Sequence, residues 1–382
     1  MSRNLAALRR VSVTTGALLA LAACGGGADP APSTGVGGPI AVVATDTECR
    51  VAVTTAPAGT ITFAITNQGT KLNEFYVYAE GDRIMGEVEN VGAGLSREFH
   101  VEIREPGTYE TACKPGMVGD GIRAAFTVTG DAPAARSDNE LLAQAVTGYH
   151  RWVSAQADEF LTETGKFVTL VKAGEVEKAK ALYPTARSYW ERIEPVAESF
   201  ADLDPLIDGR EDVVAEGMEF TGYHRLEKDL WVDGLQADTN AMADRLLADV
   251  TQLVTKVKAT ELNALQLANG SKALLDEIAT GKITGEEERY SHTDLWDFEA
   301  NFEGSKAAIA QLRPFLEDKD PQLVAAIDAS STALGELLES YRVGDGFALY
   351  TDLTPADIKK LTDSLDDFAE QVAKVAGIVA AG

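Results

Sequence analysis

The feature that most restricts the fold of this chain is a change of apolar period near residue 138. From about 40 to 130, "CRVAVTTA", "GTITFAITNQG", "NEFYVYAEG" and "GIRAAFTVTG" are short, rich in Val, Ile, Thr and aromatics, and separated by Gly, Pro and Asn turns. Residues 40–130 are therefore expected to form an all-β sandwich. The polar stretch "GDAPAARSDNE" follows as a linker. Beyond it, apolar residues recur at helical spacing, as in Tyr189, Ile193, Val196 and Phe200, or Leu246, Val250, Leu253 and Val257. Residues 138–382 are expected to form an all-α bundle of roughly seven or eight helices. Pro184, Pro205, the "ATGKITGEEE" stretch and Pro355 mark expected helix ends. Gly148-Tyr149-His150-Arg151 recurs as Gly222-Tyr223-His224-Arg225, which is compatible with two related helical halves. A length of 382 residues suits two domains.

Before the strands lies a targeting signal. Arg3, Arg9 and Arg10 precede the apolar run "GALLALAAC", which is too short to span a bilayer comfortably. The run closes on Leu21-Ala22-Ala23-Cys24, which resembles a bacterial lipobox. That reading makes 1–23 a lipoprotein signal peptide, Cys24 the lipidated first residue of the mature chain, and 24–39 a flexible tether to the membrane. A plain cleaved signal, with Cys24 incidental, is the alternative. With Cys24 lipidated, Cys49 and Cys113 are the thiols of the folded part, in a compartment where disulfides persist. They are either one disulfide or two metal ligands.

Asp and Glu number 60 against 34 Lys and Arg, a formal net charge of -26. Such a field repels nucleic acid and draws cations. Most of these carboxylates are expected to be solvated surface, so only clustered ones bear on function.

One cluster stands out in "GYHRLEKDLW". His224 and Glu227 are three residues apart, so a helix presents an imidazole nitrogen and a carboxylate to one side. Mixed N and O donors suit borderline divalent or ferric ions, provided neighbouring helices supply further ligands. Glu194 and Glu198, one turn apart with Glu191 extending the stripe, are the first candidates. Asp294, beside His292 in "YSHTDLWDFEANFEG", is the next. A solvated helix pair is the bland reading of the same spacing. The H-E-x-x-H pattern of zinc peptidases is absent.

"PVAESFADLDPLIDGR", "GYHRLEKDLW" and "YSHTDLWDFEANFEGSKAA" together resemble the imelysin-like family, whose hallmark is H-x-x-E, and within it the EfeO-type iron-uptake lipoproteins. The resemblance implies an N-terminal cupredoxin-like sandwich followed by an imelysin-like helical domain. It also implies iron bound in the helical domain, and an iron permease and a haem peroxidase as partners. The protein would be periplasmic or otherwise extracytoplasmic, held to the bacterial membrane by its lipid, and not an enzyme.

"GTYETACKPGM" resembles the C-terminal ligand loop of cupredoxins, but Met117 stands where a His would follow Pro-Gly, and Asn73-Glu74 occupy the place of the first His. A blue-copper site needs two imidazoles and a thiolate, so that site is not expected. Cys49, Glu74, Glu89, Cys113 and Met117 remain as donors for copper or a second iron. The competing reading, a Cys49–Cys113 disulfide, would contribute roughly 4 kcal/mol in the chain-entropy model. His100, in the alternating "REFHVEIRE", reads as a strand-face residue.

Two other functions compete with iron carriage. An envelope-anchored metal-dependent peptidase needs an open metal position and a separate general base, and Glu227 cannot readily be both ligand and base. Binding of an acidic polysaccharide would need bridging cations to overcome the chain's own charge.

Overall fold

The computed structural model describes residues 38–132, 140–197, 199–200 and 202–382. The expected signal peptide, Cys24, most of the expected tether, part of the expected linker and Glu198 lie outside the described residues.

The first region is a β-sandwich. Its strands are β1 (Ile40–Ala44), β2 (Cys49–Val51), β3 (Thr55–Pro57), β4 (Gly59–Asn67), β5 (Asn73–Tyr78), β6 (Ile84–Val91), β7 (Ser96–Ile103), β8 (Gly107–Pro115) and β9 (Ile122–Thr129). One sheet has the order β2-β1-β4-β7 and the other β3-β9-β8-β5-β6. Alternation along β4 turns Ile61, Phe63 and Ile65 inward, where Phe63 meets Phe75, Phe99 and Phe126 at ring-centroid distances of 5.0, 6.4 and 5.5 Å. Burying each such ring stabilises the sandwich by about 2–3 kcal/mol.

Cys49 of the first sheet and Cys113 of the second are joined by a disulfide, with Cα atoms 5.5 Å apart. Of the two readings left open by the sequence, the structure takes the covalent one. The expectation of Cys49 and Cys113 as metal ligands is thereby corrected, because neither sulfur is a free thiolate.

The second region is helical: α1 (Glu140–Lys172), α2 (Val176–Ala197), α3 (Asp204–Ile207), α4 (Gly222–Lys228), α5 (Thr239–Ala259), α6 (Ala264–Thr280), α7 (Asp294–Lys319), α8 (Pro321–Glu339), α9 (Pro355–Val372) and α10 (Val375–Ala381). The stripe of Leu246, Val250, Leu253 and Val257 on α5 is wholly buried, as its period requires. Pro205 and Pro355 open α3 and α9, but Pro184 lies inside α2. The missing backbone bond at Pro184 costs about 3 kcal/mol. It is outweighed by the burial of Tyr183, Ala186 and Trp190 around it. The echo of Gly148–Arg151 in Gly222–Arg225 has no structural counterpart, since the first copy is mid-helix in α1 and the second opens α4.

The outer face of the second sheet is covered where β6 meets α6, and Asn269 of α6 donates to the His100 carbonyl of β7 at 2.8 Å. Glu74, Tyr76 and Tyr78 are buried there although they point away from the sandwich core.

Candidate metal centre

Four pieces of chain converge between α2 and α7. Along α2, Arg187, Glu191 and Glu194 fall at spacings of four and three, so one face presents all three. The residue closing α3 is Asp208. α4 supplies His224 and Glu227. The segment leading into α7 brings Glu287 and Glu288, and α7 itself brings Asp294, Asp297 and Asn301.

The entry to α4 is set by Gly222, whose φ is +81° and whose added Cβ would lie 2.2 Å from the Ile207 carbonyl oxygen. Only glycine fits that left-handed, crowded position. It lets the chain turn into α4 directly against the end of α3, which is how His224 comes to face Asp208.

His224 is 1% exposed. Its Nδ1 lies 3.0 Å from Glu227 Oε2, and the other carboxylate oxygen accepts the backbone N–H groups of Tyr290 and Ser291 at 2.9 and 2.7 Å. A carboxylate partner places the imidazole proton on Nδ1 and leaves Nε2 as the electron-pair donor. Nε2 has no hydrogen-bond partner; it faces Glu287 Oε1 at 3.6 Å and Asp208 Oδ1 at 3.8 Å. Three donor groups thus gather here within 4.8 Å: Asp208, His224 and Glu287. Related sets are His224, Glu227 and Glu288, and Glu191, Glu194 and Asp208.

Two buried cations lie among the carboxylates. The fully buried Arg187 contacts Glu191 at 2.5 Å, Glu287 at 2.7 Å, Glu288 at 2.5 Å and Asp297 at 3.5 Å, and also pairs with Asp208. Lys282, 1% exposed, lies 3.2 Å from Glu191 and 3.3 Å from Glu194. Against them stand Glu191, Glu194, Asp208, Glu227, Glu287, Glu288 and Asp297. Even with Arg210 on Glu287 at 2.9 Å, acids outnumber fixed cations.

The protonation pattern follows. Desolvation and the Arg187 charge push His224 down, but Glu227 on Nδ1 and the Glu287 and Glu288 carboxylates near the ring outweigh them and its pKa is raised. Burial opposes ionisation of Glu287, yet Lys282, Arg210, His224 and Arg187 hold it well below the usual range. Glu288 is pushed up to about 8 by burial and then by the Glu227 charge. The centre therefore holds Glu227 and Glu287 as ionised carboxylates beside Glu194, Glu288 and Asp297, which burial and neighbouring acids push up.

The structure thus brings together His224 and Glu227, with Glu194 in the adjoining carboxylate set. It does not place Asp294 among the clustered donors: Asp294 is buried, but its Oδ1 accepts the Glu288 backbone N–H at 3.2 Å. His292, half-buried with φ +59°, is also outside the clusters. In the β-sandwich, Glu74 accepts from Tyr76 at 3.1 Å, and Glu89 lines a cavity of about 380 Å³ between β6, β7, α6 and α10. Met117 sits in the left-handed region after β8, at φ +61°. Among the described residues, Glu74 and Glu89 join no group of three clustered His, Cys, Asp or Glu donors.

Asp208, Glu287, Glu288, Arg187 and Lys282 were not anticipated. "PLIDGR" and "ATGKITGEEE" contain four of them, yet both read only as family text or helix ends.

The family model described as Imelysin matches residues 145–375, and the Cupredoxin-like domain model matches 15–128. The iron uptake system component EfeO of Escherichia coli O6:H1 is 38% identical over 346 residues, which is 89% of this chain and 91% of that protein. The chain belongs to the EfeO family. The EfeO of Shigella flexneri matches at the same identity and coverage. Every donor of the centre falls inside the imelysin match, and both disulfide cysteines fall inside the cupredoxin-like one. A reduced auracyanin from Roseiflexus castenholzii covers 25% of this chain and all of its own at 20% identity, with a TM-score of 0.22, too distant a superposition to support an argument.

Proposed function

We propose that this chain is the extracytoplasmic iron-binding component of an Efe-type uptake system, capturing an iron ion and delivering it to a membrane permease. The observation that carries the proposal is His224 Nε2: buried, without a hydrogen-bond partner, and facing the carboxylates of Asp208 and Glu287. One imidazole and two carboxylates suit iron. Glu227 would orient the ring from Nδ1, as carboxylates do behind metal-bound histidines. Entry of the ion would require Arg187 to release Asp208 and Glu287, which it now bridges. The identity to EfeO over most of both chains supports the iron cargo.

Cys24 would anchor the chain by its lipid. Among the described residues no helix is long and apolar enough to cross a membrane. A haem peroxidase of the same system is the second proposed partner. With Cys49 and Cys113 bonded to each other, the thiolates for copper or a second iron are gone, and the β-sandwich is proposed to act as a rigid support for α6.

The test is anaerobic iron titration of the soluble protein and of His224→Ala. A loss of about 100-fold or more in affinity is expected, the scale of removing a ligand from a three-donor site; equal affinity would sink the assignment. Casein cleavage dependent on zinc and abolished by Glu227→Gln would favour the peptidase reading instead.

A further inference from the structure

The guanidinium of Arg187 has one side in use and one side idle. Nη1 pairs with Asp208 Oδ1, and Nη2 donates to Glu287 Oε1 at 2.7 Å and to Glu191 Oε1 at 2.5 Å. Asp208 Oδ1 and Glu287 Oε1 are also the two oxygens that face His224 Nε2, at 3.8 and 3.6 Å. Arg187 therefore holds the same two atoms that would join the imidazole around an ion. The other side differs. Nε lies 2.5 Å from Glu288 Oε1 and 3.5 Å from Asp297 Oδ1, yet Nε, Glu288 Oε1 and both Asp297 oxygens are buried with no hydrogen-bond partner. Buried polar atoms normally have such partners, so these three oxygens are spare acceptors beside a side chain rich in donors. Asp297, 1% exposed on α7, belongs to no group of three clustered donors among the described residues.

We propose that Arg187 competes with iron for Asp208 Oδ1 and Glu287 Oε1, and that its guanidinium turns onto Glu288 and Asp297 when the ion takes those oxygens. The proposal rests on the reading of His224 as the iron ligand. A guanidinium keeps its charge at any ordinary pH, and Arg187 is fully buried, so an ion that displaces it must leave it other acceptors. Asp297 and Glu288 supply them without a change of backbone. Two positive charges on the same oxygens repel strongly in a low-dielectric interior, which makes the exchange one for the other. The competition weakens iron binding by the fraction of time the two oxygens are free, and the tethered guanidinium is always at hand to take them back. Arg187 thus sets how readily iron is given up, while His224 and its partners set where it sits.

The test is anaerobic Fe²⁺ titration of the soluble protein, with release followed by transfer to an excess of a ferrous chelator. Arg187→Lys keeps the charge but loses the planar fork that bridges two carboxylates, and is expected to bind Fe²⁺ about 10-fold tighter and release it more slowly. Unchanged or weaker binding in that variant overturns the proposal, since a merely structural arginine could only weaken the site when replaced. Asp297→Asn removes the charge of the idle acceptor at constant volume. It should weaken Fe²⁺ binding about 10-fold in the wild-type background and leave it unchanged beside Arg187→Lys. Should Arg187→Lys fail to fold, Asp297→Asn decides alone, and wild-type affinity in it overturns the proposal. A crystal structure of the Fe²⁺-loaded protein should show the guanidinium on Asp297; one that still holds both Asp208 Oδ1 and Glu287 Oε1 overturns it. His224→Ala separates the two readings. If it binds Fe²⁺ as wild type does, the His224 assignment fails and takes this proposal with it; if it loses Fe²⁺ while Arg187→Lys binds no tighter, the iron site stands and the competition alone falls.

Discussion

Glu227 grips His224 from behind: one carboxylate oxygen lies 3.0 Å from Nδ1 and the other is held by two backbone N–H groups, so the imidazole has one orientation and one free nitrogen. Glu227→Gln keeps the volume but removes the charge that raises ring basicity. Iron affinity is expected to fall about 10–100-fold with the fold unchanged. Paired iron titration and circular dichroism check this; a variant that binds iron as wild type does would make Glu227 a mere structural acid.

Gly222 is the hinge that aims this pair. Gly222→Ala forces a side chain into φ +81° and against the Ile207 carbonyl. The left-handed conformation alone costs about 1–2 kcal/mol, and the clash adds to it. The thermal midpoint should drop by several degrees and iron binding should weaken as α4 shifts. An unchanged midpoint would mean that the α3–α4 contact yields without cost.

The disulfide predicts a thiol count. Denatured without reductant, the soluble protein lacking Cys24 should show no titratable thiol from Cys49 or Cys113. Replacing both by Ala should destabilise by about 2–5 kcal/mol, since the bond staples the two sheets. Two free thiols in the native protein would refute the bond and restore the metal reading of the β-sandwich.

A pH dependence follows from the covered face of the second sheet. Burial pushes Glu74 up to about 7 and Glu87 up to about 8. Both folded values exceed the unfolded one, so as pH rises the unfolded chain loses these protons first. Their stabilising effect is full below the unfolded value and declines as pH climbs through 7 to 8. The apo protein should therefore melt at lower temperature at about pH 8.5 than at about pH 5, and Glu74→Gln with Glu87→Gln should flatten the slope. A slope that the double variant leaves intact would assign it to other groups, such as Glu288.

How much of this was legible in the chain depends on distance along it. His224 and Glu227 could be paired from spacing, because three residues on a helix share a face by covalent geometry. Asp294 is a candidate only by its place beside His292 in an acidic and aromatic stretch, and its carboxylate accepts the Glu288 backbone N–H, a choice made by the local turn and invisible in that text. Pro184 read as a helix end and sits mid-helix, because burial on both sides overrode a local penalty. Glu287 and Lys282 passed as the polar end of a helix, since nothing nearby distinguishes a buried charge from a solvated one.

The sequence by itself determined the division into strands and helices, the local H-x-x-E geometry and the surplus of negative charge, all of which follow from periodicity and composition. Only the tertiary structure decided that Asp208 and Glu287 would meet His224, that Arg187 would bridge a carboxylate 100 residues away, and that Cys49 would bond to Cys113. Contacts of that separation depend on how whole elements pack. Packing is settled by the summed burial of many side chains, and no short stretch of sequence carries that sum.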